Sequence, residues 1–520
     1  MVDHLRPGIF IQENLDPLTE SVSGVPGVAV ATFVAAGNRG PNVPTKITSM
    51  AQFQRLFGTF QAVHGKQRYL NYAVQQYFNN GGNGCYVLRV ENTDSAYATV
   101  NLNDVQVTPA TALTVTATSQ GEWGNSIYVE VRGSTASDRF DFLVYLGGST
   151  AANLVETFVD LSLNPSDPRY AIGLINSPIA GSTYVAVSNP KDIAEWHYAV
   201  GTDAPKTGVG PKVLTAGDDG SVAPDLAAAC VERLDAVDGI LNVNLPAVSD
   251  TTVLNAVITW AEGRGDVFVV VDGPVPPQGT QTNSQVSQTY LNMATGVNAV
   301  KISSYAAVYG PWILVQDPAS AIPGATRYLP PGGAVLGIYA QSDTINGPQK
   351  TPAGIKADIN GVIELEARFS ADQLDSLNQN GINVIKMVPG AGFCVFGGRT
   401  MTNGFPDRYV SIRRTLQQLR HDFILLTRFA IFEPNNSALW DQITSVLSNY
   451  LTTQMQQGLL SGSTQETAFF VTCDSSNNTL TSAQAGVVNV SVGVALNSPA
   501  EFIIITISQY QGGSTVTEGA

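Results

Sequence analysis

The run Val267–Asp272, Val-Phe-Val-Val-Val-Asp, has no polar position in its first five residues. Side chains of a strand alternate between faces, so such a run must be covered on both sides, as inside a parallel sheet with helices above and below it. The neighbouring segments fit that frame. Residues 226–236 and 253–262 carry apolar side chains at helical spacing, and 240–245 reads as a second buried strand. Residues 200–366 are therefore expected to form βαβ units. The same alternation opens earlier. Residues 25–36 read as a buried strand, and Ser49 with Gln52 marks the start of a short helix that Gly58 stops. Residues 69–78 repeat apolar positions every four residues, and 85–90 is another strand.

Between 91 and 199 the texture changes to Thr, Ser, Val and Gly, with strand-like alternation at 113–118, 127–131 and 140–145. This predicts a separate β-rich unit inserted on an outer surface. Residues 367–498 hold two strong helices, at about 412–428 and 437–457, followed by a strand at 468–472. The two ends stand apart. Ile9, Phe10 and Ile11 form a short apolar run, and Phe502, Ile503, Ile504, Ile505, Thr506 and Ile507 form another close to the far end. Neither has a hairpin partner nearby, so each would leave an unpaired edge on a lone molecule. The expected architecture is mixed α/β and multidomain. It has an extended arm at 1–24, a core opened by 25–90, the 91–199 insert, an α/β domain at 200–366, a C-terminal core domain at 367–498 and a strand arm with tail at 499–520.

Charged residues make up 13% of the chain, against about a quarter in ordinary globular proteins. A neutral polar surface suits a protein packed against copies of itself, although an ordinary secreted or viral globular protein would share it. The formal net charge of −15 opposes phosphate backbones, so direct nucleic-acid binding is not expected. No run approaches the roughly 18 to 20 apolar residues that cross a bilayer, and residues 1–13 lack the apolar centre of a signal peptide. Assembly in a cytoplasm without membrane insertion is expected.

Catalytic chemistry finds little footing. No Walker loop, GxSxG elbow or HExxH motif occurs, and His4, His64, His197 and His421 are too scattered for a sequence-local triad. Cys85, Cys230, Cys394 and Cys473 have no zinc-ligand spacing and read as buried free thiols. Gly217-Asp218-Asp219-Gly220 reads as a turn, and Glu364 and Glu366 lack a sequence-local partner. No catalytic residue, cofactor or metal is expected. Arg399, Arg408, Arg413, Arg414, Arg420 and Arg428 fall within one short stretch, and no Lys or Arg follows Arg428. That stretch reads either as a solvated face or as a contact for a neighbour or an acidic inner partner.

Several segments resemble the contractile tail sheath proteins of bacteriophages, tailocins and contractile injection systems. Pro7-Gly8-Ile9-Phe10-Ile11-Gln12-Glu13 is similar to the opening of that family, followed in the family's order by Phe33-Val34, Gly40-Pro41, Ile47-Thr48-Ser49, Leu56-Phe57-Gly58 and Cys85-Tyr86-Val87-Leu88-Arg89-Val90. Further on come Tyr309-Gly310-Pro311-Trp312, Pro331-Gly332-Gly333-Ala334-Val335, Phe432-Glu433-Pro434-Asn435 and Pro499-Ala500-Glu501-Phe502. Where the family often has Trp-Gly-Ala-Arg-Thr, this chain has Phe396-Gly397-Gly398-Arg399-Thr400, and the 91–199 insert carries no recognised motif.

The resemblance implies a structural protein that forms a six-fold helical sleeve around an inner tail tube and contracts to drive that tube through a cell envelope. The implied partners are other copies of the chain, the tube protein, and baseplate and tail terminator proteins. The implied location is a virion tail or extracellular injection particle. A capsid or baseplate component, which would leave the apolar runs at the two ends unexplained, and a soluble α/β enzyme, which would stay a small defined oligomer, stand as alternatives.

Overall fold

In chain order the first elements are β1 (Val30–Ala35), β2 (Thr45–Ile47), α1 (Met50–Phe57), α2 (Leu70–Asn79) and β3 (Cys85–Arg89). The computed structural model describes residues 29–60, 68–106, 108–134, 139–190, 205–276, 281–402, 404 and 407–501. Residues 9–11 and 502–507 lie outside the described residues, as do His4, His64 and His197. Ser49 caps α1 by accepting from the Gln52 N–H, and Gly58 ends it at φ 87°, a conformation that glycine adopts without a Cβ penalty.

The next stretch holds β4 (Thr99–Asn103), β5 (Thr111–Ala117), β6 (Ile127–Gly133), β7 (Phe140–Leu146), β8 (Leu154–Leu161), α3 (Ala171–Ile175), β9 (Val185–Ser188) and β10 (Lys212–Val213). They form two antiparallel sheets, ordered β4-β5-β9 and β10-β6-β7-β8, around a core that includes Leu113, Val129, Phe142 and Leu161. β10 lies beyond Ala199, the limit read from composition, and pairs with Val129 and Tyr128 of β6. Two residues are too short for alternation to reveal a strand. Only the pairing to β6 places them in this unit.

The chain then runs through α4 (Leu226–Ala229), β11 (Leu241–Asn244), α5 (Thr251–Arg264), β12 (Val267–Asp272), α6 (Asn283–Thr295), β13 (Ala306–Gly310), β14 (Ile313–Gln316), β15 (Thr326–Leu329), α7 (Gly332–Asn346), β16 (Val362–Leu365), α8 (Ala371–Gln379), β17 (Ile382–Val388) and β18 (Gly392–Val395). The main sheet has eight strands in the order β18-β17-β13-β12-β11-β1-β3-β2. Its six central strands are mutually parallel, and β2 and β18 close the edges antiparallel. β12 sits in the middle. Phe268 and Val270 join the layer under α2 and α7, while Val267, Val269 and Val271 join that under α5 and α6. The sheet also continues past residue 366 into β17 and β18, so the boundary read there cuts through one hydrogen-bonded structure. Helix α8 interrupts the sequence between strands and hides that continuity.

α2 and α7 meet backbone to backbone. A Cβ on Gly333 would fall 2.3 Å from the Ala73 carbonyl oxygen, and one on Gly337 would fall 2.6 Å from that of Tyr77. The β-rich unit is fastened to the main sheet by arginines. Arg89 donates to the Gln120 carbonyl at 2.7 Å, Arg68 pairs with Asp219 at 2.6 Å, and the Arg39 guanidinium lies 4.6 Å over the Tyr184 ring. Asp219, in the turn read from sequence, also accepts from the Glu122 N–H.

The last elements are α9 (Val410–Thr427), α10 (Ser437–Gln456), α11 (Gln465–Ala468), β19 (Phe469–Thr472), α12 (Leu480–Gln484) and β20 (Ser491–Val494). α9, α10 and the β19–β20 pair enclose a small core that includes Leu419, Leu451, Leu459 and Phe469. All four cysteines are buried and free.

Candidate functional site

Three of the six clustered arginines turn inward. α9 buries Val410, Ser411, Ile412, Arg413, Arg414 and Thr415 in unbroken succession. Arg414 Nη1 donates to Asp343 Oδ1 of α7 at 3.0 Å, and Nη2 makes a second contact to Oδ2. Its guanidinium lies 4.5 Å over the Tyr339 ring, whose hydroxyl is 2.6 Å from that of Tyr309. Burial pushes Asp343 above the usual carboxylate range while Arg414 pulls against that shift.

Arg413 donates to Asp407 Oδ2 at 2.7 Å and to the Tyr305 hydroxyl at 3.1 Å. Arg399 grips Glu501 with both Nε and Nη2, at 2.8 and 2.7 Å. Arg408 is half-buried, and Arg420 lies against Gly265, where a Cβ would come within 1.1 Å of its Nη1. Arg428 is exposed. The six therefore do not form one basic face. A guanidinium withdrawn from water requires a paired carboxylate, and Asp343, Asp407 and Glu501 supply three. Arg420 and Arg428 meet no carboxylate among the described residues.

β19 and β20 make a sheet of only two strands. Phe469, Val471, Val492 and Val494 share its inner face and pack on α9 and α10. On the outer face the Phe470 ring lies over Gly493, leaving no room there for a Cβ, and Phe470 is 59% exposed. Among the described residues no third strand flanks either member. Two strands alone are marginal in water, and their outer edges present backbone donors and acceptors to any further strand.

The main sheet reverses its direction of winding between β1 and β11. In doubly wound sheets ligands settle beside that reversal, outside the carboxyl ends of the strands. Next to it, protein groups fill the carboxyl ends of β11 and β12. Asp272, the last residue of β12, accepts from the Gly332 N–H at the start of α7 at 2.6 Å, from Asn244 Nδ2 at 3.1 Å and from the Ala247 N–H at 3.2 Å. Tyr290 and Trp312 close over it, each 1% exposed, and Trp312 donates to the Gly273 carbonyl and to Glu366. The arrangement acts as a staple between sheet and helix.

Burial pushes Asp272 up to about 6, against the opposing pull of its three donors. The folded chain thus holds a proton that the unfolded chain releases near 3.8. The resulting penalty is absent below about pH 4 and complete above about pH 6, where it is worth about 3 kcal/mol. Unfolding free energies measured by urea titration should therefore fall across that window, and Asp272→Asn should flatten the fall by a comparable amount. An unchanged pH slope in the variant would refute this.

Sequence reasoning missed both Asp272 and Asp343. A carboxylate terminating a fully apolar strand was a usable sign of the first, since it needs donors there. Asp343 gave no such sign, its partner being 71 residues away.

Residues 236–401 match the family described as phage tail sheath protein central domain, and 407–509 match the phage tail sheath C-terminal domain. Together these cover just over half of the chain. The tail sheath protein of Vibrio phage KVP40 is 25% identical over 248 residues, 45% of this chain and 35% of that protein. That of Enterobacteria phage T4 is 25% identical over 240 residues, 44% of this chain and 35% of the phage protein. The matched part thus spans about a third of either relative's length. In fold, the helical sheath of the anti-feeding prophage in its contracted state superposes with a TM-score of 0.56 at 22% identity, over 98% of this chain and 100% of that one.

Proposed function

Because this chain belongs to the phage tail sheath family, we propose that it is the repeating subunit of a six-fold helical sleeve. The sleeve surrounds an inner tube and, on contraction, drives that tube through a target cell envelope. Its role is structural, with no catalytic step assigned to any residue. The sleeve is assembled in a bacterial cytoplasm, engages a baseplate and a tail terminator at its ends, and works as part of a virion tail or an extracellular injection particle.

The observation that carries this reading is the two-stranded β19–β20 sheet, complete on its inner face and flanked by no third strand among the described residues. The apolar runs at 9–11 and 502–507 read from sequence as strands without a sequence-local partner. Added to the β19–β20 sheet of adjoining copies, they would satisfy its edges by β-augmentation. Such head-to-tail contacts do not close on one ring and so propagate into a helix. Firing needs no nucleotide in this scheme. The extended lattice stores a free-energy difference of a few kcal/mol per copy, which cooperative rearrangement releases. Arg420 and Arg428 are the charges proposed to meet the tube or a neighbour.

Deleting residues 1–16, or ending the chain after Ser498, should leave folded subunits that form no ordered sleeves in electron micrographs. Full-length sleeves from either truncation would refute the arm scheme.

A further inference from the structure

Glu501 is the last described residue before the run 502–507, and three distant parts of the chain converge on it. Its Oε1 accepts from Arg399 Nε at 2.8 Å and from Asn378 Nδ2 at 2.8 Å. Its Oε2 accepts from Arg399 Nη2 at 2.7 Å and from the Tyr409 hydroxyl at 3.2 Å. These partners lie 123, 102 and 92 residues away in sequence. Burial raises the Glu501 carboxyl, but the bonds from Arg399, Asn378 and Tyr409 outweigh it and hold the group below the usual range.

The grip is itself braced. Arg399 Nη1 donates to the Asn378 carbonyl at 3.0 Å, and the Arg399 backbone N–H and C=O are both bound by the side chain of Asn383, each at 2.7 Å. Asn383 is fully buried on β17, so the socket is built on the main sheet. Before Glu501 the chain leaves the β19–β20 sheet, pairing last at Leu496 with Leu460. It is thus handed from the small sheet to the large one immediately ahead of the arm.

We propose that the Arg399–Asn378–Tyr409 socket is the anchor of the C-terminal arm, fixing where residues 502–507 leave the subunit and taking up the pull between copies. This rests on the arm scheme above. A two-pronged arginine–carboxylate contact braced from behind resists displacement better than a single bond. Without it the arm would be tethered only from about Leu496. Lengthening the free tether back to about Leu496 lowers the effective concentration of the docked strand by roughly tenfold. Glu501, Asn378 and Tyr409 are positioning residues here, since the contact with the neighbour is made by the arm.

The test uses the full-length chain and follows assembly by light scattering and electron microscopy, alongside thermal unfolding of the unassembled subunit. Glu501→Gln should raise the concentration needed for sleeve formation by about tenfold and also lower the subunit's own unfolding midpoint, since it leaves the buried Arg399 guanidinium without its carboxylate, so assembly is read well below that midpoint. Tyr409→Phe, which removes one hydroxyl and its hydrogen bond, should raise the assembly concentration about threefold. The exchange Arg399→Glu with Glu501→Arg should recover part of the loss. If Glu501→Gln unfolds the subunit, Tyr409→Phe decides by the same readout. Assembly at wild-type concentration by the folded variants overturns the socket as anchor. If the chain ending after Ser498 then still fails to assemble, the arm scheme stands without it. Sleeves from that truncated chain would overturn both.

Discussion

Arg414→Met should cost about 3–5 kcal/mol of unfolding free energy, since it leaves Asp343 charged and alone in the interior. Asp343 is 5% exposed and Arg414 3%, so neither can turn to water without moving α7 or α9. Adding Asp343→Leu should restore most of that loss, because an apolar pair of similar volume removes both desolvation penalties together. Urea unfolding of the four members of this double-mutant cycle measures the coupling. A single variant as stable as wild type, or a double variant as unstable as the sum of the singles, would contradict the geometry. The consequence extends beyond stability. Asp343 belongs to the helix packed on the main sheet, and Arg414 to the helix that opens the C-terminal unit, so this pair fixes the join between them.

The second large effect is expected at Gly333. Valine there would set its Cβ 2.3 Å from the Ala73 carbonyl oxygen and 2.7 Å from the Ala73 Cα. The obstructing atoms are backbone, so the helices themselves must separate, and the cost is expected at or above the upper end of ordinary overpacking, about 3 kcal/mol. Gly333→Ala should cost less but remain measurable, since even its methyl carbon meets the same atoms. Thermal midpoints should rank wild type above alanine and alanine above valine. A valine variant within experimental error of wild type would show that α2 and α7 do not meet in this way.

Much of the main sheet was legible because its signals are local. Val267–Asp272 and the strand around Phe33 are mostly apolar and buried on both faces, and α10 repeats Leu439, Ile443, Leu447 and Leu451 on one stripe. What stayed hidden depends on pairing across long stretches. β10 is two residues long and acquires meaning only from β6, and β17 joins a sheet begun more than three hundred residues earlier. The arginines follow the same rule. Six cations in one stretch resemble a surface when their carboxylates are out of view. Asp407, six residues before Arg413, was the one partner within local reach.

The three arginine contacts that bind the β-rich unit to the main sheet make the two move together. A dye or epitope placed on the Gly147–Gly148 turn, at the end of β7, would therefore sweep through the same angle as the main sheet. In the proposed sleeve, with the β-rich unit placed on its outer surface, the changing distance to a second marker on an adjacent copy would serve as a gauge of contraction in real time.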